Sequence, residues 1–235
     1  MTKLIYMKRY VLTLVVTVGL LATFYSCKKS ETIGGSHFVA KVDMTTYDYL
    51  KTNSLFDTLV IMIDKMGLKD EVNSSGTFFA FTNFTMRNYV NARETVEQIL
   101  RNDENLVYTF DSLDLSSLKD SLRSYMFHDP ITRDNLTQLG RLYKANNGET
   151  RLIQLIPTTD YTNQDVFITD PEYVYLTKIL PLPGSPVPTD STGLTQLQPE
   201  QLLQTLCQTS GILTTTGVLH VLNNGHMFNY YNDQK

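Results

Sequence analysis

The sequence predicts a single α+β domain. Three observations lead to that class. An apolar stripe recurs at helical spacing from Leu55 to Met66. The run Thr77-Phe78-Phe79-Ala80-Phe81-Thr82-Asn83 is too short and too apolar for anything but a strand buried on both faces. From Leu142 onward, short strand-like runs are punctuated by Asn-Gly and Pro signals. Helices therefore fill the first half, and strands with one helix fill the second. A chain of 235 residues suits one domain with a sizeable core.

Residues 1–26 stand apart from that domain. Lys3, Lys8 and Arg9 form a positive leader, and Val11 to Thr23 is an apolar run too short to cross a bilayer comfortably. It ends in Phe24-Tyr25-Ser26-Cys27. The arrangement resembles a bacterial lipoprotein signal, with Phe24 where Leu is usual. The resemblance implies cleavage before Cys27 and acylation of that residue. An ordinary cleaved signal or a membrane anchor is the alternative reading of the same run. Acyl chains anchor a protein because each buried methylene contributes ~0.8 kcal/mol. The expected address is the outer membrane, at the cell surface or the periplasmic face. Residues 27–43, polar and with Gly34-Gly35, read as a tether, and 44–231 as the domain.

Loss of residues 1–26 removes three basic residues and no acid. It leaves 17 Lys and Arg against 24 Asp and Glu, a balance of −7. An acidic domain does not suit nucleic acid, whose phosphates need a basic face. Cys207 then has no cysteine partner. Behind Leu202, Leu203 and Leu206 it reads as a small core residue.

Ser54 to Asp57 fits a capping box, followed by Leu55, Phe56, Leu59, Val60, Ile63 and Met66 as one helical face, with Gly67 as the stop. Two short helices are expected around Met86-Tyr89-Val90 and Val96-Ile99-Leu100. Ser117 to Asp120 gives a second capping box, with Leu118, Leu122, Tyr125 and Met126 facing inward. Asn146-Asn147-Gly148 marks a β-hairpin between Leu142 and Ile156, because both turn residues need positive φ. Val166–Thr169 and Tyr173–Leu180 read as further strands. Five of the eight prolines fall between Pro181 and Pro199, so that stretch reads as an exposed loop. Pro199 to Leu206 reads as a helix, and Val218–Leu222 with His226–Tyr231 as a closing hairpin.

Two segments share a family pattern. Thr77 to Asn83 resembles the first box of fasciclin-type domains, with Phe81 where the family has Pro. Ser210-Gly211-Ile212 and Thr216-Gly217-Val218-Leu219-His220-Val221-Leu222 resemble the second box. The resemblance covers about residues 40–145 and 207–230. It implies two short mixed sheets in a wedge or sandwich, with several helices packed on them. It also implies an insertion at about 157–205, because Met126 and His220 lie 94 residues apart. The family's Tyr-His pair is not reproduced locally, since Met126 follows Tyr125. His220 is part of the family's fold signature and reads as a satisfied structural histidine.

No constellation for chemistry appears. His37, His128, His220 and His226 are scattered, no cysteine cluster could hold zinc, and no phosphate loop or nucleophile elbow is present. Asn102-Asp103-Glu104-Asn105 lacks calcium-loop spacing and reads as a solvated turn. The expectation is a non-enzymatic protein without metal or cofactor. It works as an adhesion or binding module for a protein or glycan ligand, with the membrane held through Cys27. Tyr161, Phe167, Tyr173 and Tyr175 are the candidate contacts, because exposed aromatics stack on sugars or anchor protein contacts. The alternative is a structural accessory subunit of an outer-membrane glycan-uptake complex or surface fibre.

Overall fold

The computed structural model describes residues 40–74, 76–158 and 170–231. Cys27 and residues 1–39 lie outside these, as do Tyr161, Phe167 and the expected strand at Val166–Thr169.

Helix α1 (Thr46–Lys51) is capped by Thr45, whose hydroxyl accepts from the Asp48 amide. Helix α2 (Asp57–Met66) buries Leu59, Met62, Ile63 and Met66, and stops where Gly67 turns left-handed at φ 63°. Its start differs from the expected capping box. Asn53 accepts from the Leu55 amide at 3.0 Å, and Asn83, 25 residues on, accepts from the Thr58 amide at 2.9 Å. A turn of helix, α3 (Lys69–Val72), leads into strand β1 (Thr77–Ala80), buried at every position.

Helix α4 (Asn83–Arg101) is one 19-residue helix where two short ones were expected. The Arg93–Glu97 ion pair, at 2.9 Å and i,i+4 spacing, bridges the supposed gap, and Arg101–Glu97 at 3.2 Å continues the ladder to the helix end. Asn102 ends it in the left-handed region. Helix α5 (Lys119–Arg123) is shorter than expected and has no side-chain cap. It delivers Tyr125 into the core just before β2 (Met126–Phe127).

Five more strands follow: β3 (Arg141–Lys144), β4 (Thr150–Pro157), β5 (Glu172–Ile179), β6 (Leu202–Leu213) and β7 (Val218–Leu222). They join in one sheet of order β2-β1-β7-β6-β5-β4-β3. Among these seven strands, β1 and β7 are the one parallel pair; Thr77 lies opposite Val218 and Phe79 opposite His220. The far edges also meet. Phe127 bridges to Ala145, and the Asn146 amide donates to the Met126 carbonyl at 2.8 Å. The sheet thus curls nearly into a barrel.

This corrects the expected α+β wedge of two sheets: the fold is dominated by one seven-stranded mixed sheet. The reason is β6, whose first half pairs with β5 and whose second half pairs with β7. Register shifts between Cys207 and Ile212 bend it from one half to the other without a break. The helix expected at Pro199–Leu206 is a single 3-10 turn, Pro199–Gln201, and then this strand. The closing hairpin is corrected too, since β7 is followed by a 3-10 turn at Phe228–Tyr230.

Part of the expected insertion, residues 172–179, is β5, with Val174 and Leu176 in the core. Residues 40–42 of the expected tether run beside the end of β6, where the Val42 amide donates to Leu213 at 2.9 Å. The main core lies between the helices and the inner face of the sheet, around Leu59, Ile63, Phe79, Phe81 and Leu219. A smaller cluster lies on the outer face, where Leu194 covers Leu152 and Ile179. The proline-rich stretch is therefore partly a lid on the sheet. Gln201 pins it: its amide nitrogen donates to the Leu180 and Ser185 carbonyls, and its oxygen accepts from the Gln198 amide and the Ser185 hydroxyl.

Candidate functional site

Strand alternation sorts the residues of β4, β5 and β6. Ile153, Val174, Leu176, Thr205 and Cys207 point to the core and are buried. Their neighbours point outward. Gln154, Tyr175 and Leu206 lie side by side across the three strands, and Ile156 lies opposite Tyr173. Leu152, Thr177 and Gln204 form the next row, towards the covered end. There the 180–201 segment closes the face. Tyr173, Tyr175, Ile156 and Leu206 at the other end stay half-buried.

Two amides frame the tyrosines. Gln204 Nε2 donates to Gln154 Oε1 at 3.1 Å, and Gln154 Nε2 donates to the Gln138 carbonyl at 3.0 Å. The strip of Tyr173, Tyr175, Gln154, Gln204, Ile156 and Leu206 has no Asp, Glu, Lys or Arg. Among the four aromatics singled out in the sequence, Tyr173 and Tyr175 share this strip. Tyr161 and Phe167 fall outside the described residues. Gln154 and Gln204 escaped the sequence reading because only the strand register brings them beside Tyr175.

The inner face carries a buried polar network. The Tyr125 hydroxyl lies 2.7 Å from His226 Nε2 and accepts from the Asn229 amide at 2.8 Å. His226 Nδ1 lies 2.9 Å from the Thr205 hydroxyl. The neutral ring thus donates from one nitrogen and accepts at the other, with a hydroxyl partner at each. Burial, with a smaller push from Arg151, lowers the His226 pKa to about 3. Burial raises the Tyr125 hydroxyl well above its usual range. Such a pair has the parts of an acid–base dyad. Tyr125 and His226 are 1% and 3% exposed, so substrate has no access and the network acts as a lock on the C-terminal turn. The Tyr125–His226 contact joins residues 101 positions apart in the chain.

Arg151 and Lys178 lie opposite each other at the edge of this network. Arg151 Nη2 is 2.7 Å from Glu149 Oε2, yet none of the three guanidinium nitrogens has an aligned hydrogen-bond acceptor among the described residues. The ring of Tyr230 sits 5.7 Å from the guanidinium. Lys178 is pushed below its usual pKa by burial.

His220 is fully satisfied. Its ring stacks on Phe79 at 4.7 Å, Nε2 donates to the Ile131 carbonyl at 2.9 Å, and Nδ1 accepts from the Gly211 amide. Burial lowers its pKa to about 4. Cys207 is buried and unpaired, and burial pushes its thiol far above the reactive range. His128 is exposed in the loop after β2. No group of three or more His, Cys, Asp or Glu among the described residues could hold a metal ion. No protein-family model matches the chain, and a search of curated proteins gives no match.

Proposed function

We propose that this chain is an acyl-anchored binding module that holds a neutral ligand, a glycan, on the outer face of β4, β5 and β6. The uncharged strip of Tyr173, Tyr175, Gln154 and Gln204 supports the reading most directly. Tyrosine faces stack on the apolar faces of sugar rings, and carboxamides both donate to and accept from hydroxyls. An absence of charge disfavours acidic or phosphorylated ligands, which need cations. Anchoring through Cys27 would set this face at the outer membrane, as the leader's pattern suggests.

The fasciclin-type relationship belongs to the same proposal. The two family-like segments are parallel neighbours, with Phe79 stacked on His220, and this supports reading them as paired boxes. A second function, as a structural accessory subunit, draws on one observation. Ile99 and Leu100 at the end of α4 are each 73% exposed, and Val107 is 75% exposed, an apolar knob suited to assembly contacts.

The test is glycan-array binding by the full mature chain, compared with Tyr175→Ala and Gln154→Ala. Loss of at least tenfold in affinity with an unchanged circular dichroism spectrum is expected. Equal binding by all three proteins, or no glycan bound by any, overturns the proposal.

A further inference from the structure

A groove that shares no lining residue with the tyrosine strip runs along α4. It has a volume of about 480 Å³. Small-ligand sites occupy roughly 300–1,000 Å³. Phe84, Met86 and Val90 of α4 form one wall, and Phe110 of the 3-10 turn Phe110–Ser112 forms another. Thr58 and Asn83 close an end, held by the bond from the Thr58 amide to Asn83 Oδ1 and by Asn83 Nδ2 on the Ser54 carbonyl. Asn83 is thereby spent and has little left for a ligand.

Among the described residues, Arg87 is the one ionic side chain lining the groove. Its guanidinium lies 4.5 Å from the Phe84 ring centre and makes no ion pair with the described residues. It is exposed, so it costs nothing as it stands, and it is already laid along the apolar wall. The adjacent helix end adds to the same sign. The first turn of α4 contains no acid, and Thr82 gives it no side-chain cap because the Thr82 hydroxyl donates to Asn224 Oδ1.

We infer that this groove binds a small amphipathic anion, its aliphatic body on Phe84, Met86, Val90 and Phe110 and its carboxylate on Arg87. The walls reward apolar area removed from water. The guanidinium selects the head, since a planar donor fork matches a carboxylate in two parallel bonds. An aliphatic ammonium would meet the same walls and an unfavourable head contact. A neutral apolar molecule would gain the walls alone. The sign of the head group is therefore the distinguishing property.

The probe is sodium decanoate, titrated calorimetrically into the full chain carrying Cys27→Ala, so that no acyl group of its own competes. Decylammonium and decanol are the comparison ligands. Decanoate is expected to bind at one site and at least tenfold tighter than either comparison ligand. Arg87→Gln is expected to lose about tenfold for decanoate, about 1.4 kcal/mol, and nothing for decanol. Arg87→Glu is expected to favour decylammonium. Arg87 is exposed, so both variants keep the fold, which circular dichroism checks. Equal affinity for the three ligands, unchanged decanoate binding in Arg87→Gln, or no decanoate binding overturns the inference.

Discussion

Two buried imidazoles set the response of this protein to acid. His226 and His220 are neutral in the folded chain because burial disfavours their charged forms, and their pKa values fall from 6.5 to about 3 and about 4. In the unfolded chain both protonate near pH 6.5. The unfolded state therefore binds more protons below that pH, and stability falls as pH drops from 6.5 towards 4 and 3. The stability is fully present above pH 6.5. By pH 5 the loss is on the order of 2 kcal/mol per histidine. Urea unfolding at pH 7 and pH 5 should show a clear fall in midpoint, and His226→Gln should show a smaller one. An identical midpoint at the two pH values would contradict the assignment of neutral buried rings.

At the scale of elements, the start of the β1–β7 pairing depends on an absent side chain. A Cβ on Gly217 would lie 2.5 Å from the Gly76 carbonyl oxygen, where the Val218 amide donates to that same oxygen at 2.8 Å. Gly217→Ala must push the strands apart. It should cost about 2 kcal/mol or more by thermal or urea unfolding, whereas Gly184→Ala, with open space around its Cβ, should act only through its left-handed backbone. The α2 stripe, the Gly67 stop, the Asn146–Gly148 hairpin and the buried β1 were legible because each rests on local periodicity or turn chemistry. β6 was not. Leu202 and Leu206 face outward while Leu203 and Cys207 face inward, so apolar residues on both faces erase the alternation of two and imitate a helix. Of the candidate strip, the tyrosines were visible as residues. Gln154 and Gln204 needed the register, and the Arg87 groove needed Phe110 folded back against α4.

At the scale of the whole molecule, the sheet has its earliest strand beside its last. β1, rich in phenylalanine, is flanked by β2 and β7, and β7 begins 141 residues after β1 does. A chain ending at Gly217 would leave β1 with an open apolar edge, a template for intermolecular pairing. Such a truncation should collect in the insoluble fraction, while a chain ending at Tyr231 stays monomeric by size-exclusion chromatography. A soluble monomeric truncation would show that β7 is dispensable to the core.

That neighbour relation also orders events in time. Contacts between residues so distant in sequence make folding slow, because loop closure must precede reward. Nothing can complete the sheet until the C-terminal residues have left the ribosome. The sheet therefore locks only when β7 arrives, so every shorter nascent length leaves β1 without its parallel partner.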